Sequence, residues 1–200
     1  MSKITEGILG DIARRDLSGG KKIENLLRPE NKLELMGIIW DEMNRQGKDL
    51  DLRHIVIPEN NIRFNYLFVD GEEIESLDLT GWNVSNIETF YEMFSGCHNL
   101  KTIKGMENWD VSNAHNFIMM FNECRSLEEI DLSGWKLDFN PRNVNNETRY
   151  NSMHMDNMFF DCRKLKKIIG FENWNIPKYF SDTIAKGFCK YITDDGIIVR

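Results

Sequence analysis

The feature that most constrains this chain is a spacing. Trp82, Trp109 and Trp135 follow one another at steps of 27 and 26 residues. Phe94 and Phe121, Cys97 and Cys124, Leu100 and Leu127, and Ile103 and Ile130 each stand 27 residues apart. Phe159, Cys162, Leu165 and Ile168 continue the same four positions after a step of 38, which is one period plus an insertion placed within 139–151 (FNPRNVNNETRYN). A fainter copy comes first, with Leu67-Phe68 and Ile74 lying 26 residues before Met93-Phe94 and Leu100, and Gly71 where the later copies carry cysteine. A unit this short cannot bury its own apolar face, so such periods imply units stacked on one shared core.

Each unit reads as a short extended piece (Leu77-Asp78-Leu79), a turn around Gly81, and a second apolar segment. In that segment Ile87, Phe90, Met93, Phe94 and Cys97 are spaced by three, three, one and three residues, which predicts one or two turns of helix with a buried stripe. The unit openings alternate. LDLTGW and IDLSGW run five residues from the first apolar position to tryptophan, whereas IKGMENW and IIGFENW run six, so every second unit should carry a bulge or a wider turn.

The pattern LDLSGW…VSN…MF..C..L resembles the BspA-like repeats of bacterial surface proteins and mycoplasma lipoproteins, a branch of the leucine-rich repeats. The likeness covers about Leu77 to Ile176. It implies a binding array and carries over no catalytic residue. The expected fold is an α+β repeat: a short leucine-rich-repeat-like solenoid of four to five coils of 26–27 residues, spanning 49–200, with an N-terminal helical cap in 1–48.

Residues 1–48 have their own pattern. Ile4, Ile8 and Ile12, with Leu9 and Ala13, form one apolar helical face that Gly19-Gly20 interrupts. Asn31 with Glu34 has capping-box spacing. Leu33, Met36, Ile39, Trp40 and Met43 follow at helical intervals, and Gly47 is a stop signal. Two helices are expected. The second should cover the open end of the array; the first packs on it or serves as a docking or self-association arm. Leu52, Ile55 and Ile57 read as an entering strand.

Charge narrows the partners. The net charge is −7, and residues 1–65 hold equal numbers of acidic and basic side chains, so the excess lies beyond them. An acidic surface repels phosphate backbones and anionic lipid, so no nucleic acid is expected as partner. Met1 to Glu6 lacks a secretory pattern, and Met36–Trp40 is too short to span a bilayer. The expected location is the cytoplasm or a phage particle, with the cell surface reached only by another export route.

The residues point away from catalysis. Cys97, Cys124 and Cys162 share one phase, as a column of small buried side chains would, and the cysteines lack the close pairs of zinc sites. His54, His98, His115 and His154 do not recur in register. HExxH, GxSxG and phosphate-loop patterns are absent. No enzyme, cofactor or metal is expected.

Asp78 and Asp131 are in phase, as are Thr80 and Ser133, and they alternate with inward Leu79 and Leu132. With Lys104 between them they form a candidate polar stripe for a protein partner. Arg142, Arg149 and Tyr150 in the insertion are candidate anchors, since arginine and tyrosine are common at interface centres. The expected function is a non-enzymatic protein-binding module of bacterial or phage origin, binding through the outward strand face and the insertion loop. The alternative is a structural or accessory subunit of a phage particle or surface assembly, a homo-oligomer or larger, with residues 1–20 as its arm.

Overall fold

A computed structural model of the chain describes residues 25–58, 63–137, 154–175, 191–192 and 195–199. The first expected helix, the insertion with Arg142, Arg149 and Tyr150, and Cys189 lie outside the described residues.

Helix α1 spans Lys32–Gln46 and obeys its sequence signals. The Asn31 side chain accepts the Glu34 N–H at 3.0 Å, and the Glu34 carboxylate accepts the Glu30 N–H at 2.8 Å. At the other end the Gly47 N–H closes on the Met43 carbonyl, with Gly47 at φ 75°. Leu35 and Ile39 face the core. Strand β1, Asp49–Asp51, follows at once. The Gln46 side-chain amide accepts the Asp51 N–H at 2.8 Å and donates to the Asp51 carbonyl at 3.1 Å. It satisfies the free edge of β1 as a neighbouring strand would. The entering strand therefore lies earlier than expected; Leu52, Ile55 and Ile57 are buried beyond its end.

The remaining strands are β2 (Ser76–Asp78), β3 (Thr102–Lys104), β4 (Glu129–Asp131), β5 (Lys167–Ile169), β6 (Tyr191–Ile192) and β7 (Ile198–Val199). β1, β2 and β3 form one parallel sheet, with Leu50 opposite Leu77 and Leu77 opposite Ile103. β4 and β5 form a second, with Ile130 opposite Ile168. β6 and β7 pair antiparallel. No ladder joins β3 to β4. This corrects the expected solenoid. Continuous strand pairing from unit to unit is what a leucine-rich-repeat array requires, and here it stops between Lys104 and Glu129. The described residues hold one α-helix and two small parallel sheets of three and two strands, a small α+β fold.

The second expectation that fails is the helix in each unit. Phe90 to Cys97 forms consecutive turns, in which the N–H of Met93, Ser95 and Cys97 bond back to Phe90, Glu92 and Phe94. Backbone angles explain this. Tyr66 and Asp70, Glu92 and Gly96, Met119 and Glu123, and Asn157 and Asp161 all have positive φ, four residues apart in each unit. A left-handed residue costs about 1–2 kcal/mol and breaks any helix. The compensation is intersegment bonding. Phe64, Tyr66, Phe68 and Asp70 donate their N–H groups to the carbonyls of Thr89, Tyr91, Met93 and Ser95. Phe90, Glu92, Phe94 and Gly96 do the same to Asn116, Ile118, Met120 and Asn122, and Phe117, Met119, Phe121 and Glu123 to His154, Asp156, Met158 and Phe160. Apolar spacing of three arises equally from successive tight turns, so periodicity alone could not separate the two.

The side chains at matched positions share one core. Phe68, Phe94, Phe121 and Phe159 stack ring on ring at 5.3, 5.3 and 5.1 Å. Trp109, Trp135 and Trp174 stack at 6.4 and 6.2 Å. The alternating openings have a physical cause. The longer ones contain short 3-10 helices, Met106–Asn108 and Phe171–Asn173, each entered through a left-handed glycine. At Gly105 a Cβ would lie 2.5 Å from the Thr80 nitrogen, so the backbone of the long opening rests directly on the short opening before it. At the far end the Ile168 N–H donates to the Gly196 carbonyl and the Ile198 N–H to the Lys166 carbonyl, closing the edge of β5.

Candidate partner-binding face

The outward residues of the three-stranded sheet lie in rows set by its register. Asp51, Asp78 and Lys104 are direct neighbours across β1, β2 and β3. Asp78 is half-buried because its side chain accepts the Thr80 N–H at 3.1 Å, an Asx turn that starts the bend toward Gly81. Asp131 does the same for Ser133 at 3.0 Å. The Arg53 guanidinium joins Asp51 at 2.7 Å and approaches Asp78 at 3.6 Å. That hydrogen bond from Arg53 holds the Asp51 carboxyl below its ordinary range. Lys104 is exposed and forms no ion pair among the described residues.

The structure thus brings Asp78, Thr80 and Lys104 together. Asp131 and Ser133 stand across the unpaired seam between β3 and β4, with Asp131 in register with Ile169. Arg142, Arg149 and Tyr150 lie outside the described residues, so their place relative to this face is not part of the geometry. Sequence reasoning missed Asp51 and Arg53. The signal was present: DLDLR at 49–53 matches SLDLT at 76–80, one period earlier than the first unit recognised.

It also missed a column of alternating charge. Lys48, Glu75, Lys101, Glu128 and Lys166 occupy the residue before each strand and follow the same steps as the core columns. Glu75 is bonded by both Lys101 and Lys48. The hydrogen bonds from Lys101 and then Lys48 pull the Glu75 carboxyl down to about 2. Lys166 likewise lowers Glu128 through a hydrogen bond. On the turn side a second chain of charges runs Glu72, His98, Glu123, Arg125, Asp161 and Arg163. His98 sits half-buried between Glu72 and Glu123 at 3.5 and 3.3 Å.

The cysteine column has a packing role. The thiols of Cys97, Cys124 and Cys162 donate to the carbonyls of Phe68, Phe94 and Phe121 at 3.1, 3.2 and 2.9 Å. Burial pushes the Cys97 thiol up to about 12 and raises the other two, so none is a ready thiolate nucleophile. Among the described residues, no three His, Cys, Asp or Glu side chains are grouped to hold a metal ion, and no helix is long and apolar enough to cross a membrane.

The family model described as "Mycoplasma protein of unknown function, DUF285" matches residues 62–183. The chain belongs to this family. The DUF285 match takes in β2 to β5, the phenylalanine and cysteine columns and the stacked tryptophans, while α1 and β1 precede it. It therefore covers Asp78, Thr80, Lys104, Asp131 and Ser133 but not Asp51 or Arg53. No curated protein and no solved structure matches the chain.

Proposed function

We propose that this DUF285 protein is a non-enzymatic protein-binding module of bacterial or phage origin. In this reading it is kin to the BspA-like families of surface proteins and lipoproteins that its sequence pattern resembles. The partner is another protein, met by the outward sheet face around Asp78, Thr80 and Lys104, with the 139–151 insertion contributing Arg142, Arg149 and Tyr150.

The observation that supports this reading is the state of the outward row. The Arg53 guanidinium offsets one of the two carboxylate charges of Asp51 and Asp78, and the Asx turn fixes the carboxylate of Asp78. Lys104 extends the row with an exposed, unpaired ammonium on a strand held by its hydrogen-bond register. Charges fixed on a rigid element are well suited to select a partner through complementarity. Thiols held as buried donors favour binding over covalent chemistry.

The test is capture from the native host with the intact chain, in parallel with Lys104→Glu and with a chain lacking 139–151. The expected result is a protein recovered by the intact chain and lost or much reduced with either variant, both variants keeping the parent's circular dichroism. Recovery of the same protein in the same amount by all three would remove both the face and the loop from the site.

A further inference from the structure

The outer face of α1 is the most apolar surface among the described residues that has no assigned contact. Leu33 is 81% exposed, Trp40 64% and Met36 39%. They fall at positions i, i+3 and i+7, on the side away from the core residues Leu35 and Ile39. Gly37 lies on the same stripe, and a Cβ there would meet nothing within 4 Å, which leaves room for a close neighbour. A tryptophan and a leucine this bare on one helix form a patch that water does not favour.

We propose that this face is the docking surface for the chain's own residues 1–24, with Ile4, Ile8 and Ile12 set against Trp40, Met36 and Leu33. The inference goes beyond the binding reading above and does not depend on it. Three observations choose this occupant. The apolar positions of the segment recur every four residues, which gives one helical stripe. Its length fits: Ile4 to Ile12 would rise about 12 Å as a helix, and Leu33 to Trp40 about 10 Å.

Its tether is the third. The Leu27 N–H donates to the His54 carbonyl and the Val56 N–H to the Leu27 carbonyl, so the chain is pinned a few residues before Asn31 caps α1. Gly19-Gly20 gives the freedom to reverse direction between the two. A segment tethered so close has an effective concentration of about millimolar. A second copy of the protein at micromolar concentration cannot compete with that.

Trp40 reports the outcome. Trp82, Trp109, Trp135 and Trp174 are buried to 6% exposure or less, so the difference between the intact chain and Trp40→Phe isolates the Trp40 emission. Acrylamide quenching of that emission is measured in the intact chain and in the intact chain carrying Ile8→Asp and Ile12→Asp. The expected result is a shielded Trp40 in the parent and a severalfold larger quenching constant in the variant. The thermal transition of the core should stay unchanged, because Leu35 and Ile39 are untouched. The proposal is overturned if Trp40 in the parent is already quenched as freely as in the variant. It is also overturned if shielding grows with protein concentration and sedimentation shows a dimer, since the occupant is then a second copy. A Met36→Cys, Ile8→Cys pair gives a second measurement: an intrachain disulfide under mild oxidation supports the docking, and only interchain products overturn it.

Discussion

At the residue scale, the tryptophans in the same column are not equivalent. The Trp82 indole donates to the Leu52 carbonyl and Trp135 to the Met106 carbonyl, each at 3.0 Å. The indole nitrogens of Trp109 and Trp174 are buried without an acceptor among the described residues. Replacing tryptophan by phenylalanine removes similar apolar bulk at each site, so the difference between sites measures the hydrogen bond. Trp135→Phe breaks a bond and leaves the Met106 carbonyl with the Trp109 backbone N–H at 3.1 Å, whereas Trp109→Phe removes a donor that was already unsatisfied. Trp135→Phe should therefore destabilise more, by about 0.5–1.5 kcal/mol. Denaturant titration of the two variants checks this, and equal losses would show that the indole bond contributes nothing. The 26–27-residue period revealed which tryptophans belong to one column. It could not reveal which would be satisfied, because the acceptor for Trp135 is a carbonyl inside the 3-10 turn of a long opening, a local geometry that side-chain spacing does not encode.

Glycine gives a second comparison at this scale. Gly105 has φ 95° and its Cβ direction is blocked by the backbone of Leu79 and Thr80. Gly81 has φ 89° with open space around it. Gly81→Ala meets only the left-handed penalty of about 1–2 kcal/mol. Gly105→Ala adds the forced separation of two backbones, with overpacking worth about 1–3 kcal/mol more. Thermal unfolding of both variants should rank Gly105→Ala clearly below Gly81→Ala; the reverse order would mean the two openings do not touch.

At the element scale, the strands are too short to specify their own register, and the charges beside them help do it. Lys48, Glu75 and Lys101 lie in line across β1, β2 and β3, and a slip of one residue would break both bonds to Glu75. Because the folded Glu75 carboxyl titrates near 2 in place of its ordinary 4.5, its contribution is complete above pH 4.5 and is lost as pH falls toward 2. Glu75→Gln should remove that part of the acid sensitivity while leaving the slope above pH 4.5 unaltered. An unchanged acid limb in the variant would rule Glu75 out as its source. The same elements explain what the candidate site hid. Asp78 and Asp131 were visible as in-phase polar residues, but their work in closing the turn at Thr80 and Ser133 depends on backbone direction. Arg53 recurs at the Thr80 phase with a different chemistry, so a search by residue type passed over it.

At the scale of the whole molecule, the open question is whether the break between β3 and β4 divides the protein into two unfolding units. Strand pairing alone would place Asp49–Lys104 in one and Glu129–Ile169 in another. Three links cross the break. Phe121 stacks on Phe159, and Trp109 on Trp135. The amides of Phe117, Met119, Phe121 and Glu123 bond to His154, Asp156, Met158 and Phe160. The buried residues from Leu35 on α1 to Ile198 on β7 belong to one contiguous cluster. Removing a core phenylalanine costs about 3–5 kcal/mol, comparable with the 5–15 kcal/mol that holds a whole domain. Neither sheet could keep its structure after the other had exposed that interface. Unfolding should therefore be a single transition, with tryptophan fluorescence and far-ultraviolet circular dichroism coincident along the denaturant axis. Phe159→Ala, whose ring lies beyond the break, should lower the protection of the Leu77 amide in β2 against hydrogen exchange as much as that of the Ile168 amide in β5. If only the Ile168 side loses protection, the aromatic columns do not couple the sheets, and the break in pairing is a boundary between two independently stable parts.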